Sequence, residues 1–428
     1  MYKNKKVIFS LIVLVAGIGA AILLFVLSGT DKNAVLVSKQ DESTQINTSQ
    51  QEKIPLNREN EEKSDNKSAD KENIEKSDKH IKTEKVKAVY YTGVFAGIEK
   101  RLDHIIEVIK STELNAIVID IKEAGKVNYE SKIPEVKNNG LFTKFYNPEK
   151  VIKKLHDNNI YVIGRIVCFR DDGLASKRAD LAIKTPKGTL WREYKNKQDT
   201  KWTNPFNQDV WKYNIDIAKE AIDIGFDEIQ FDYVRFPTAG SKEVDYGIEK
   251  ISKADAICGF LRMASEELRE KKGVPVSADI FGIVCVSPKD GNSIGQVIER
   301  VGMDIDYICP MVYPSHYANA GKGIMGNGVG QKINGVNFTA PDLKPYDVVY
   351  NTLIEAGKKI AKVQGYKAKM RPYLQDFTAT YIKNKKYYQE YGIEQIKQQI
   401  KAVYDAGYEE WILWDGKNTY TEEALVKE

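Results

Sequence analysis

Five aspartates, Asp120, Asp232, Asp279, Asp376 and Asp415, each stand at or just past the end of a short apolar run. The most informative run is Glu228-Ile229-Gln230-Phe231-Asp232-Tyr233-Val234-Arg235-Phe236-Pro237. Read as a strand, its two-residue period puts Glu228, Gln230 and Asp232 on one side and Ile229, Phe231 and Tyr233 on the other. A second run, Val276 to Gly282, puts Ser277 and Asp279 on one side in the same way. Two carboxyl groups at neighbouring strand ends are what glycoside hydrolysis needs, one as nucleophile or base and one as proton donor. Arg165 lies on the same side of its own run as Ile163 and Val167, so it can reach an inward carboxylate and keep Asp232 ionised. The plainer alternative is a structural ion pair between Asp232 and Arg165. Asp120 stands between positioning a sugar hydroxyl and forming a salt bridge.

Sugar rings expose apolar CH faces that pack on aromatic side chains while their edges take hydrogen bonds. Trp202, Tyr233, Tyr313, Tyr317, Tyr373 and Trp414 lie near strand ends or in long connections and are candidate platforms. Arg235, His316, Gln375 and Asp415 complete the candidate substrate-binding set. Trp211 sits on the apolar stripe of a helix and reads as core. Four widely spaced cysteines in apolar segments read as buried thiols, and no His-x-x-x-His or Cys-x-x-Cys spacing points to a transition metal. No cofactor is expected. The glycines of Gly326-Asn327-Gly328-Val329-Gly330 lack the strand before and helix after that a phosphate loop requires.

The elements that must carry these groups follow one pattern after residue 85. Short β-branched runs alternate with stretches of helical period, as repeated βα units do. Strands are expected at 86–95, 116–121, 160–169, 227–234, 274–281, 306–313, 370–375 and 410–414. A helix over 209–224 places Trp211, Ile215, Ala218 and Ile222 on one face, with Asn207 and Gly225 as start and stop signals. Further helices carry Ala254, Ile257, Leu261, Ala264 and Leu268, and Ile393, Ile396, Ile400 and Val403. Eight strands with intervening helices and no second linker favour a closed (β/α)8 TIM barrel over 86–428. Chemistry then belongs at the rim where strands end, and the long connections 170–206 and 314–341 are expected as substrate walls.

The rest of the 428-residue chain sets the location. Lys3, Lys5 and Lys6 precede an uncharged run from Val7 to Leu27, long enough to cross a bilayer as a signal anchor within residues 1–29. Cleavage as a signal peptide is the alternative. The lysines favour a cytoplasmic N-terminus, which places the domain extracellularly on a single-pass membrane protein. Residues 30–85, polar and without aromatics between 31 and 85, read as a disordered tether. The net charge of +4, small beside charges of both signs, gives no case for nucleic acid.

The motif Gly225 to Pro237 resembles the signature of the putative glycoside hydrolase domain family, bacterial extracellular barrels similar to α-amylases. Trp202-Thr203-Asn204-Pro205, Ser277 to Gly282, Pro310 to Pro314, Arg371 to Phe377 and Trp411 to Asp415 resemble its strand-end motifs in the same order. The resemblance implies Asp232 as nucleophile at the end of the fourth strand and Asp279 as proton donor at the end of the fifth. Amylase-like barrels commonly carry Glu as donor and Arg two residues before the nucleophile, where this chain has Asp279 and Gln230. The expected function is a membrane-tethered, retaining glycoside hydrolase acting on an extracellular or cell-wall polysaccharide or oligosaccharide. The alternatives are a glycan-binding or an envelope-assembly protein using the same barrel cleft.

Overall fold

The computed structural model describes residues 80–426, apart from 196–197, 240–242 and 248–250. The N-terminal apolar run and the tether up to residue 79 lie outside the described residues. Among those described, no helix is long and apolar enough to cross a membrane.

Eight parallel strands close into a barrel: β1 (Lys87–Tyr91), β2 (Ala116–Glu123), β3 (Tyr161–Val167), β4 (Glu228–Asp232), β5 (Val276–Phe281), β6 (Tyr307–Met311), β7 (Lys369–Met370 continued by Tyr373–Gln375) and β8 (Trp411–Trp414). β1 pairs with both β2 and β8, which seals the ring. The strand expected at 86–95 stops at Tyr91, because Thr92 caps a short helical turn, Gly93–Ala96, through its own side chain. Pro372 supplies no amide hydrogen and lies where β7 is interrupted.

The main helices of the outer layer are α1 (Glu99–Ser111), α2 (Pro148–His156), α3 (Gln208–Ile224), α4 (Lys253–Ser265), α5 (Pro288–Ile294), α6 (Pro345–Ile360) and α7 (Ile393–Asp405). In α3 the Asn207 side chain accepts from the amide of Asp209, and Gly225 ends the helix at φ 130°, a conformation that suits glycine. Trp211, Ile215, Ala218 and Ile222 are all buried, and the Trp211 indole donates to the Pro205 carbonyl at 2.7 Å.

Two cores result from strand alternation. Outward side chains such as Ile117, Ile119, Ile229 and Phe231 meet the helices. Inward ones, among them Ala88, Tyr90, Val118, Ile163, Cys309 and Ile412, fill the barrel. Near the floor, Glu228 is fully buried and held by Arg371 Nη1 at 2.8 and 3.0 Å and by the Ser277 hydroxyl at 2.6 Å. Desolvation offsets most of the attraction in such a pair, so its net contribution to stability is small.

Residues 80–85, assigned from composition to the tether, lie against the barrel floor. The Ile81 amide donates to Asp227 Oδ1 at 2.7 Å, and Asp227 Oδ2 accepts from the Val162 amide at 2.8 Å.

Candidate active site

Asp232 ends β4, and Arg165 of β3 lies beside it. Arg165 Nη2 and Nε approach Asp232 Oδ2 at 2.6 and 3.1 Å, while Nη1 bonds Asp120 Oδ1 at 2.5 Å and Glu123 Oε2 at 3.0 Å. One guanidinium therefore serves three carboxylates from two other strands. Burial opposes the charge of Arg165, but Asp120, Asp232 and Glu123 outweigh it and hold its proton firmly. Asp232 is further satisfied at Oδ1 by the amide of Tyr233.

That amide is available because Tyr233 adopts φ 49°, the left-handed region that a bulky residue rarely enters. Strict alternation assigns Tyr233 to the outer face. The left-handed turn breaks the period and brings the ring to the cleft, against Trp202 at 5.9 Å between ring centres. Backbone strain of this kind gathers at functional sites and costs on the order of 1–3 kcal/mol.

Asp279, on the adjacent strand β5, has a different environment. Its Oδ2 lies 3.9 Å from Arg165 Nε, and its buried Oδ1 has no hydrogen-bond partner. Burial first, and the neighbouring Asp232 second, push its carboxyl well above the usual carboxylate range. Two carboxyl groups near one guanidinium thus differ in kind: Asp232 is held by donors, while Asp279 favours its protonated form. That asymmetry separates a nucleophile from an acid.

Asp120 lies just beneath. It accepts from the Tyr90 hydroxyl at 2.6 Å, and burial, offset by Arg165, raises its carboxyl to about 7. Glu123 was not among the expected site residues. Alternation from Asp120 sends Lys122 inward and Glu123 outward, but a register irregularity between Asp120 and Lys122 inverts the phase. Lys122 instead points out of the barrel to Asp171 at 2.6 Å and Asn214 at 2.8 Å, and Glu123 returns to the cleft.

The cleft between these groups has a volume of about 60 Å3 and is lined by side chains from every strand of the barrel or the residues just after it. Of the expected residues, Arg165, Asp232, Tyr233, Asp279, Tyr313, His316, Tyr373 and Trp414 line it; Tyr90, Thr92, Phe281, Met311 and Gly416 join them with Glu123. Tyr90 was detectable, since it continues the inward phase of Ala88. Trp414 stacks with Tyr313 at 5.6 Å and with Tyr90 at 6.2 Å. Tyr373 donates to Gln230 Oε1 at 2.6 Å, closing the floor.

His316 lies in the wall of the cleft. Its ring packs on Tyr313 at 5.0 Å, and burial pushes its pKa down to about 3, so it is neutral at ordinary pH.

Other expected residues stand behind the cleft. Trp202 is fully buried and donates to Glu193 at 3.3 Å, so it backs Tyr233 instead of offering a face to a ligand. Arg235 is buried among Trp202, Tyr233 and Phe281, with its guanidinium 4.5–4.9 Å from the three ring centres. Gln375 is consumed by Ser315, Asp342 and Phe377. Asp376 accepts from the amide and hydroxyl of Thr421 at 2.9 and 2.7 Å, and Asp415 from the amide of Thr419 at 3.0 Å. Tyr317 donates no platform either, being buried against Thr352. The two long connections contribute only His316 to the lining among the described residues, because each folds back on itself through a short hairpin, Arg192–Lys195 with Gln198–Lys201 and Gln331–Ile333 with Val336–Phe338.

The chain is similar to several solved structures. The PgaB (BpsB) glycoside hydrolase domain from Bordetella bronchiseptica is similar in fold, with a TM-score of 0.55 at 10% identity over 79% of this chain and 97% of that one. A hypothetical protein from Ruminiclostridium thermocellum is 45% identical over 45% of this chain and 96% of its own, with a TM-score of 0.41. The α-galactosidase TtGalA from Thermus thermophilus matches at 10% identity over 80% of this chain and 60% of its own, with a TM-score of 0.48. No curated protein sequence matches the chain. A family model described as "Putative glycosyl hydrolase domain" covers residues 88–420, which takes in nearly the whole barrel, and the chain belongs to that family.

Proposed function

We propose that the domain is a retaining glycoside hydrolase acting on a polysaccharide or oligosaccharide, with Asp232 as nucleophile and Asp279 as acid and then base. The observation that carries the reading is the unequal treatment of two carboxyl groups beside one arginine. Arg165 and the Tyr233 amide donate to the two oxygens of Asp232 at the cleft, while Asp279 keeps a buried, unpartnered oxygen and a raised pKa. Both approach the same nitrogen, Arg165 Nε, at 3.1 and 3.9 Å, so the two carboxyl groups serve the same stretch of the rim.

In the first step Asp279 gives its proton to the leaving glycosidic oxygen as Asp232 attacks the anomeric carbon. In the second, Asp279, now ionised, takes a proton from water as that water displaces Asp232. Aromatic faces of Trp414 and Tyr313 suit the apolar side of a ring. The N-terminal apolar run, outside the described residues, supports placing this activity on the outer side of a membrane.

Defined oligosaccharides incubated with wild type and with Asp232→Asn, with the anomer of the first product read by proton NMR, test the proposal. Retention by wild type and loss in the variant are expected. Equal cleavage by the variant refutes the assigned nucleophile, and binding without cleavage by both favours a non-catalytic glycan receptor.

A further inference from the structure

Asp120 is fully buried beneath the residues that line the cleft, so it has no surface to offer a sugar hydroxyl. From its contacts with Arg165 and Tyr90 we infer that it is a positioning residue, one that divides the Arg165 guanidinium between itself and Asp232 and so sets how tightly the nucleophile is held. This rests on the hydrolase reading above.

Strand register explains the division. Asp120 of β2 stands directly opposite Arg165 of β3, whereas Asp232 of β4 stands opposite Val167, two residues nearer the rim. Arg165 thus has one carboxyl group at its own level and another above it. Its Nη1 bonds Asp120 Oδ1 at 2.5 Å, while its Nε and Nη2 edge meets Asp232 Oδ2 at 3.1 and 2.6 Å. The N–H groups of a guanidinium lie in one rigid plane, so a fixed partner at Nη1 aims the other edge. Asp120 is such a partner. Its Oδ2 accepts from the Tyr90 hydroxyl at 2.6 Å, and its carbonyl accepts from Asn128 Nδ2 and the Tyr146 hydroxyl, each at 3.1 Å.

Asp232 has opposite needs in the two steps of a retaining reaction, since it attacks the anomeric carbon in the first and departs from it in the second. Positive charge concentrated at its oxygens slows the attack and assists the departure. An ionised Asp120 draws part of the guanidinium charge to itself and leaves Asp232 freer to attack. A protonated Asp120 leaves that charge to Asp232 and Glu123. The groups facing Asp120 decide which form is present: burial raises its carboxyl, Arg165 lowers it, Glu123 raises it and the Tyr90 hydroxyl lowers it, with the balance at about 7. Asp232 and Asp279 stand beyond the arginine on β4 and β5. The first step should therefore slow as pH falls through neutrality.

The test compares the full chain as wild type and as Asp120→Asn, from about pH 5 to 9, on 4-nitrophenyl α- and β-glycosides of glucose, galactose, N-acetylglucosamine and glucosamine. Above about pH 7, kcat/KM is expected to be about tenfold or more higher for wild type, and below about pH 6 the two should converge, because the variant stands permanently for the protonated form. A ratio that stays constant across the range, as loss of a merely structural contact would give, overturns the inference and leaves the hydrolase reading intact. Tyr90→Phe keeps the ring but removes one donor from Asp120, so it should move the acid limb to higher pH; an unmoved limb counts against the inference. The sharing of Arg165 is also read without substrate, from the nitrogen NMR signal of its Nε, assigned by its loss in Arg165→Lys. That signal should step near neutral pH in wild type and not in Asp120→Asn, and no step in wild type overturns the inference whatever is cleaved. Cleavage of no glycoside by protein whose Arg165 signal does step removes the hydrolase reading, and the role of Asp120 in the reaction with it.

Discussion

Arg165 Nη2 stands 2.6 Å from Asp232 Oδ2, and both side chains are almost fully buried. The same guanidinium also holds Asp120 and Glu123, so its removal strands three carboxylates at once. Arg165→Met should lower unfolding stability by about 3–5 kcal/mol, the usual cost of breaking a buried pair from one side. Arg165→Lys keeps the charge but loses the fork and should recover only part of it. Urea denaturation followed by circular dichroism measures both, and a loss under ~1 kcal/mol for Arg165→Met would contradict the network.

Asp232→Asn should reduce turnover by on the order of 10³-fold or more, as expected for a residue that acts in the chemical step. KM should change little by comparison. Steady-state kinetics on any cleaved substrate supply the check.

With Asp279 as the proposed proton donor, the alkaline limb of the pH–rate profile should lie well above the ordinary carboxylate range, with activity falling as pH rises through the raised pKa. Asp279→Asn should abolish that limb and slow sugar leaving groups far more than nitrophenolate, which needs no proton. His316 does not supply the alkaline limb, since burial pushes its pKa down to about 3. Accordingly, His316→Gln should leave the alkaline limb in place.

Asp376 gives a stability prediction of defined sign. Burial raises its carboxyl to about 6 in the folded barrel, against about 3.9 in an unfolded chain. The folded state therefore holds this proton more tightly, and the associated stability, complete below about pH 4, is lost as pH rises through about 6. Asp376→Asn should flatten the decline across that window, as measured by denaturant titrations at pH 4.5 and 6.5.

Trp202 separates packing from binding. Trp202→Phe removes the bond to Glu193 and part of the support behind Tyr233, so it should lower the melting temperature by several degrees and leave KM nearly unchanged. Trp414→Ala removes a lining ring and should raise KM.

The legibility of this chain follows from period. All eight barrel strands were readable because β-branched runs and helical stripes alternate without interruption, and Asn207 and Gly225 bracket α3 as written. The inward placement of Asp232, Asp279 and Arg165 was readable for the same reason. Glu123 was hidden by one irregularity in β2 that reverses which side chains face inward, and Tyr233 reached the cleft through a left-handed backbone that no propensity favours. Gln375, Asp376 and Asp415 stand at strand ends as read, and each meets the backbone or side chain of a neighbouring loop. A strand-end carboxylate or amide looks the same in sequence whether it meets a ligand or the backbone of the next loop, and only the partners distinguish them.

The docking of residues 80–85 beneath the barrel has a mechanical consequence. Ile81 is fastened to Asp227 at the start of β4, whereas Asp232 opens into the cleft at the finish of the same strand. Any pull on the chain from its N-terminal side is therefore borne first by the pole opposite the mouth, at the foot of β4, before it reaches any residue that lines the cleft.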